Sequence, residues 1–195
     1  WRQADKYRVP RICFVNKMDK IGASYEFCYQ TILDRLGAPA IPVVIPDGEA
    51  DEFKGIIDLI RGVGIYSDMD NEKDKGQTLT ERPVPEHMKE KYEHYRAIML
   101  EKVAELDDAL AEKYLTDPNS LTEAEIRAAL RKGTCEFKLH PVFCGSALKY
   151  VGVQRLLDGV IDYLPSPMDI PPVIGHDVKD PEKTIERHSN PDEPF

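Results

Sequence analysis

Ile12-Cys13-Phe14-Val15-Asn16-Lys17-Met18-Asp19 gives the strongest indication of fold in this chain. Its first four residues are all apolar, which is typical of a strand buried on both faces of a parallel sheet. The four residues that follow contain the polar groups of a loop at the carboxyl end of that strand. Open α/β sheets bind ligands beyond the carboxyl ends of their strands, so the stretch predicts an α/β fold and a binding loop.

The residue types of the loop fit the base guanine. Guanine presents two adjacent donors, N1–H and the N2 amino group, and the single carboxylate of Asp19 can accept both. Adenine lacks these donors and would leave a buried carboxylate unpaired, which predicts rejection by roughly 10⁴ or more. Asn16 can donate to a purine ring nitrogen or tie neighbouring loops together, and the stem of Lys17 can cover the base face. A solvated turn is the alternative interpretation of Asn-Lys-x-Asp taken alone.

A second strand and loop, far along the chain, favour the guanine interpretation. His140–Cys144 is predicted to be another short buried strand, and the small-residue loop Gly145–Lys149 follows it. Small side chains let the backbone approach a ligand, so the Ala147 N–H is expected to donate to the guanine O6. Ser146 is expected to brace the Asp19 carboxylate from the side.

An amphipathic helix is predicted after each loop, which makes each strand, loop and helix a βα unit of a parallel sheet. The predicted apolar stripes are Tyr25, Cys28, Tyr29, Ile32, Leu33 and Leu36 in the first helix, and Val153, Leu156, Leu157, Val160, Ile161 and Leu164 in the second.

The segment between the two units has a different character. Residues 42–46 are predicted to form an extended strand, and residues 53–60 and 62–66 two strands of a small antiparallel sheet. A helical face follows Pro85, and Thr122 with Glu125 predicts a capping box before a later helix. The buried face is predicted to consist of Met88, Tyr92, Tyr95, Met99, Val103 and Leu106.

Several stretches of the chain resemble the elongation factor G family of bacterial translational GTPases, and the resemblance extends through the whole sequence. They are residues 1–7, 9–20, 34–38, 53–59, 145–149, 152–154 and 162–167. The resemblance implies a partial P-loop-GTPase-type parallel sheet with helices, an α/β fold interrupted by an inserted α+β subdomain. It assigns residues 1–41 and 136–165 to the C-terminal half of the GTP-binding domain and residues 42–135 to the inserted G-prime subdomain. Residues 166–195 are assigned to a linker and the start of the next domain.

In that family the two loops are the fourth and fifth guanine-nucleotide motifs. The resemblance therefore implies GTP or GDP as the cofactor, with base contacts at Asn16, Lys17, Asp19, Ser146 and Ala147, and the adjacent Leu148 is included in the predicted site. The sequence contains no Gly-x-x-x-x-Gly-Lys-Ser/Thr loop for phosphates, and its two Asp-x-x-Gly runs, at Asp19 and Asp34, are interpreted as accidental. We therefore expect no catalytic residue and no metal ligand here, with Mg²⁺ held only by a missing half of the domain. The start at Trp1 and the end at Phe195 are consistent with an internal fragment.

The resemblance implies a parent enzyme that hydrolyses GTP on the ribosome to drive tRNA and mRNA movement in protein biosynthesis. This segment would supply guanine recognition only and would be inactive alone. Two alternatives remain open: a non-enzymatic module whose G-prime subdomain binds the ribosomal stalk protein, and a related translational GTPase such as a ribosomal protection protein or a peptide-release factor.

Composition is consistent with a cytoplasmic protein. The net charge of −9 argues against a direct nucleic-acid site in this segment, and no apolar run approaches the length of a membrane span. The four cysteines lack Cys-x-x-Cys spacing and are interpreted as free thiols. The acidic runs 47–52 and 68–74 are interpreted as a surface turn and a solvated loop, the second in preference to a calcium loop.

Overall fold

A computed structural model describes residues 1–68, 73–74, 76–177, 180 and 182–190 of the chain. Two compact units are present, Trp1–Leu164 and Pro165–Phe195. Asp70 and Glu72 of the second acidic run, and the terminal stretch 191–195, lie outside the described residues.

The secondary-structure elements follow one another in a mixed α/β order. The helices of the described residues are α1 (Arg2–Lys6), α2 (Tyr25–Leu36), α3 (Lys89–Ala104), α4 (Asp108–Thr116), α5 (Glu123–Cys135) and α6 (Val153–Tyr163). The strands are β1 (Cys13–Val15), β2 (Ala40–Pro42), β3 (Val44–Asp47), β4 (Gly55–Asp58), β5 (Val63–Ser67), β6 (Leu79–Pro83), β7 (His140–Cys144), β8 (Val173–His176) and β9 (Thr184–Arg187).

The two predicted strands, β1 and β7, lie side by side in a parallel sheet whose order is β1-β7-β2. Cys13 is level with Val142 and Val15 with Cys144, so both strands end at the same edge. Each is followed by a loop and a helix, which confirms the two βα units. Strand β7 is buried along its whole length, as expected for the central strand of a sheet that helices cover.

A second, antiparallel sheet has the order β3-β4-β5-β6. The predicted antiparallel pairing of the segments around β4 and β5 is confirmed. The single strand predicted at residues 42–46 is wrong, because β2 ends at Pro42 in the parallel sheet and β3 begins at Val44 in the antiparallel one. Val43 forms the crossing: its N–H donates to the Val142 carbonyl at 3.0 Å, and its own carbonyl accepts from the Leu59 N–H at 3.0 Å.

The helix signals were largely correct. Gly37 ends α2 in the left-handed conformation, and the capping box of Thr122 and Glu125 begins α5 as predicted. The predicted face is confirmed on α3 and the residues that flank it. Tyr95, Met99 and Val103 of α3 and Met88 before it are buried, and Tyr92 and Leu106 are partly buried against the same core.

Parts of the two predicted apolar stripes are wrong. Leu36 is exposed at the end of α2, and on α6 Leu157, Val160 and Ile161 are 57%, 42% and 76% exposed. The buried residues of α6 are instead Gly159 and Tyr163. A Cβ at Gly159 would lie 2.4 Å from the Phe143 ring, so the helix approaches β7 closely through its glycine. The helix therefore packs on β7 through the face that contains Gly159 and Tyr163.

The unit Pro165–Phe195 covers the region predicted to be a linker and the start of another domain. Ser166 and Asp169 form a capping box on a short 3-10 turn, and β8 pairs with β9 in an antiparallel hairpin. Among the described residues of the whole chain, none of the helices combines the length and apolar character that a membrane span requires.

Candidate functional site

The two predicted base-reading loops meet at the edge of the parallel sheet. The Gly145 N–H donates to the Val15 carbonyl at 3.0 Å, and the Met18 N–H donates to the Gly145 carbonyl at 3.1 Å. These bonds extend the β1–β7 ladder past the strand ends and into both loops. Residues more than a hundred positions apart in the sequence are thereby held next to each other.

Asn16 ties the two loops together. Its Oδ1 accepts hydrogen bonds from the Lys17 N–H at 2.8 Å and from the Ala147 N–H at 3.0 Å. The second of the two roles considered for Asn16, bracing neighbouring loops, is therefore present. The Ala147 N–H, expected to donate to the guanine O6, is directed at Asn16 in this structure, and its contact with a base stays a prediction.

Asp19 combines an ionised carboxylate with an unused acceptor atom. Its Oδ2 lies 2.9 Å from the Lys20 ammonium, whereas its Oδ1 is buried and has no hydrogen-bond partner among the described residues. Burial favours the neutral acid, but the polar side chains of Ser146 and Lys20 near the carboxylate outweigh it and lower the pKa of Asp19 below its ordinary value. Ser146 is itself almost fully buried. A charged oxygen that lacks a donor is the kind of acceptor that the guanine N1–H and amino group require.

Lys17 holds a left-handed backbone conformation, with φ of 64°. Such values are uncommon for residues other than glycine and cluster at ligand-binding sites. The Lys17 side chain is exposed beside the loop junction, and Leu148 is 72% exposed in the second loop. No sequence signal pointed to the strained backbone, because the residue type gives no hint of it.

Gly145 is required for a reason that differs from the expected one. The small residues of the second loop were expected to let the backbone approach a ligand. A Cβ at Gly145 would lie 2.1 Å from the Val151 carbonyl oxygen, so the glycine instead lets the start of the loop approach the segment that leads into α6. Ser146 and Val151 form an isolated antiparallel bridge there. The loop is therefore a closed, rigid turn that presents Ser146 and Ala147 to the first loop.

The acidic run 47–52 is not only a surface turn. Asp47 is buried in β3, where its carboxylate accepts from the Tyr66 hydroxyl at 2.7 Å and lies 2.8 Å from His87 Nε2. Farther along the run, the Ala50 N–H donates to the Met18 carbonyl at 2.8 Å. This contact with the first loop has no signal in the sequence, since backbone hydrogen bonds between distant segments leave no mark in composition.

No group of three or more His, Cys, Asp or Glu side chains within the described ranges is arranged to hold a metal ion. Cys144 is buried in β7, and the other three cysteines are partly buried.

Comparison with known proteins gives a consistent result. Residues 1–166 match the family model described as "Elongation factor Tu GTP binding domain". The chain is 50% identical, over all of its 195 residues, to elongation factor G of Amoebophilus asiaticus (strain 5a2), of which it covers 27%. It is 48% identical over the same length to elongation factor G of Salinibacter ruber (strain DSM 13855 / M31), again covering 27%. The chain thus spans about a quarter of the length of these curated relatives.

A solved structure supports the fold. A crystal structure of a protein from Thermus thermophilus superimposes with a TM-score of 0.73 at 28% identity, over 88% of this chain and 25% of that one. Together with the family match, this confirms the predicted fold class and the resemblance found in the sequence.

Proposed function

The chain belongs to the elongation factor Tu GTP-binding domain family, and from that premise we propose that it is the guanine-recognition part of a ribosomal translocation GTPase of the elongation factor G type. In this proposal the whole protein binds GTP in the cytoplasm, hydrolyses it to GDP and phosphate on the ribosome, and couples hydrolysis to movement of tRNA and mRNA. The named relatives favour this interpretation over a ribosomal protection protein or a peptide-release factor.

One observation carries the proposal: the buried, unpartnered Oδ1 that Asp19 has among the described residues, beside the loop that contains Ser146 and Ala147. An anionic oxygen that is withdrawn from water and lacks a donor is costly unless a ligand supplies one. Guanine would supply two donors to this carboxylate. Asn16 and Ser146 would hold the two loops in position, and the stem of Lys17 would cover the face of the base.

Phosphate chemistry requires residues beyond this sequence. The 195 residues contain no P-loop, so backbone cradling of the phosphates and coordination of Mg²⁺ would come from elsewhere in the whole protein. We therefore expect the isolated chain to show no GTP hydrolysis. In this proposal the residues of this chain select the base, and residues elsewhere in the whole protein carry out GTP hydrolysis.

Replacing Asp19 by Asn in the whole protein tests the proposal. The amide nitrogen cannot accept from the guanine N1–H, whereas it can donate to the C2 carbonyl of xanthine. Two hydrogen bonds to a charged group are lost, so GDP affinity should fall by about 10²-fold or more while XDP affinity rises. Binding would be measured by calorimetry with GDP, XDP and ADP.

Asp34→Asn is a matched control, because Asp34 lies on the exposed side of α2 and its recorded side-chain hydrogen bond within the described residues is with Gln30, one turn earlier in the same helix. It should leave the preference for GDP unchanged. Unchanged GDP affinity in Asp19→Asn, with no gain for XDP, would refute the assignment of Asp19.

A second candidate function, a protein-binding module, is favoured by a groove between α4 and α5. The groove has a volume of about 230 Å³. It is lined by Leu106, Asp107, Leu110, Glu125, Ala128, Ala129 and Lys132. These residues lie within the segment proposed as the G-prime subdomain, and the ribosomal stalk protein is the proposed partner. Calorimetry of this chain with the stalk protein, in the absence of nucleotide, tests this candidate function. Lack of binding would refute it.

A further inference from the structure

We propose that the β3–β4 loop, residues 48–54, is a third segment of the guanine site and that Glu49 is a positioning residue for Asp19. The inference rests on the proposed function, since it concerns how the base is selected. It assigns a role in nucleotide recognition to the region interpreted from sequence as an inserted subdomain.

The first contact fixes the peptide unit in front of Asp19. The Met18 carbonyl, which belongs to that peptide unit, accepts the hydrogen bond from the Ala50 N–H at 2.8 Å. On its other side the Met18 N–H is bonded to Gly145, and the Met18 side chain is only 1% exposed. Met18 is thus anchored from the second base loop and from the β3–β4 loop. The direction in which Asp19 leaves the backbone depends on both.

The second contact holds the other end of the same segment. Glu49 Oε1 accepts from the N–H of Tyr25 at 2.9 Å, and Tyr25 is the first residue of α2. A carboxylate near a helix N-terminus is stabilised by the free N–H groups and the helix dipole. The Lys91 ammonium on α3 lies 3.8 Å from the same oxygen. Adjacent residues of one loop, Glu49 and Ala50, therefore anchor residues 18–25 at both ends.

The β3–β4 loop is itself held in a single strained shape. Ala50 has a φ of 54°, which a residue with a side chain adopts only when its surroundings impose it. At Gly48, with φ of 79°, a Cβ would lie 1.9 Å from the Glu52 carbonyl oxygen. The loop is closed by a bond from the Lys54 N–H to the Asp47 carbonyl at 2.8 Å. A loop whose backbone is restrained in this way can hold the residues that it contacts in fixed positions, whereas a flexible loop cannot.

The effect on recognition follows from the geometry of guanine. A carboxylate accepts N1–H and the N2 amino group together only when both of its oxygens face the base edge. IDP retains N1–H and lacks the amino group, so the ratio of GDP to IDP affinity reports the second hydrogen bond. If Glu49 positions Asp19, loosening Glu49 should reduce that ratio rather than weaken both ligands equally.

The test compares Glu49→Ala and Glu49→Asp with the wild-type whole protein, using GDP, IDP and ADP. Alanine removes the acceptor for the Tyr25 N–H, and aspartate keeps the charge but is one methylene too short. Both variants should lower the GDP-to-IDP affinity ratio by up to about tenfold, the size of one hydrogen bond to a charged group. Hydrogen exchange at the Tyr25 amide should become faster in both.

Glu52→Ala and Glu52→Asp are the matched controls. Glu52 lies in the same loop, and its exposed side chain makes no hydrogen bond or ion pair recorded in the described part of the chain. These controls should keep the wild-type ratio.

The outcomes separate the two proposals. Equal losses of GDP and IDP affinity in the Glu49 variants, or an unchanged ratio, would overturn the positioning role while leaving the guanine site intact. A wild-type protein that binds GDP, IDP and ADP alike would instead refute the proposed function. If Glu49→Ala does not fold, Glu49→Asp carries the test, because it preserves the charge beside α2 and Lys91.

Discussion

Replacing Asp58 by Ala should destabilise the chain strongly. Asp58 joins the antiparallel sheet to α6, the helix that follows the loop Gly145–Lys149. Its Oδ1 accepts from the Ile60 N–H at 2.9 Å and from the Arg61 N–H at 3.1 Å. Its Oδ2 lies 3.0 Å from Arg155 Nη2 on α6. The two side chains are 5% and 17% exposed, so water screens the pair poorly.

The magnitude follows from what the substitution leaves behind. Removing one member of a buried ion pair costs about 3–5 kcal/mol, because the other charge stays buried without its partner. Arg155 retains a contact with Asp158 at 3.1 Å, and its Nη2 lacks hydrogen-bond alignment with Asp58. Both facts favour the lower end of that range of energies, so we expect the free energy of unfolding to fall by about 3 kcal/mol.

Urea denaturation followed by circular dichroism would measure this change. Asp58→Asn keeps an acceptor for the Ile60 and Arg61 amides and removes only the charge, so it should cost less than Asp58→Ala. Asp158→Ala, which breaks the exposed contact of Arg155, is the control and should cost less than about 1 kcal/mol. A loss below about 1 kcal/mol for Asp58→Ala would refute the reasoning that the pair is buried and necessary.

Two further predictions concern the loop Gly145–Lys149 and the start of α5. Gly145→Ala would place a Cβ 2.1 Å from the Val151 carbonyl oxygen, so thermal denaturation should show a loss of about 1–3 kcal/mol; an unchanged melting temperature would contradict the close approach. The pKa of Glu125 is lowered to about 2 by hydrogen bonds from Lys113 and Thr122. Since the pKa is lower in the folded state, the stabilisation is present above the ordinary value of 4.5 and is lost as the pH falls toward 2. Glu125→Gln should flatten the dependence of stability on pH in that window, and an identical pH profile for both proteins would argue against the interaction.

The local elements were predictable where the signal lies within one segment. The apolar residues before Asn16 predicted β1, the pair Thr122 and Glu125 predicted the cap of α5, and the periodic face of α3 is buried as expected. These features depend on neighbours three or four positions away, or on a continuous apolar run in one strand. No contact from elsewhere among the described residues overrides them.

The errors arose where a second segment decides the outcome. Helical spacing marked Leu157 and Ile161 as buried, but Gly159 lets α6 pack on Phe143 through a different face. Residues 42–46 are extended, as their composition suggests, yet Val43 bonds with Val142 and Leu59 and thereby divides the strand between two sheets. Helical periodicity in the sequence indicates which residues form an apolar face. Packing in the tertiary structure determines which part of that face is buried.

For the site, the residue types alone predicted the chemistry: Asp19 as an anionic acceptor, Asn16 as a tie between loops, and Ser146 and Ala147 as a small-residue partner loop. These assignments depend on functional groups and need no coordinates. How the groups meet depends on the three-dimensional arrangement. Parallel pairing of β1 with β7 brings the loops together, Asn16 binds the Ala147 N–H, and Asp19 keeps a buried oxygen unpartnered among the described residues.

The contact of the β3–β4 loop with Met18 also belongs to the tertiary structure. It joins the Ala50 N–H to a backbone carbonyl, and backbone groups are the same in nearly every residue, so no side-chain pattern announces the pairing. The residue types of the loop predict which base it suits. Long-range hydrogen bonding, set by the order of strands in two sheets, determines how firmly the backbone before Asp19 is held.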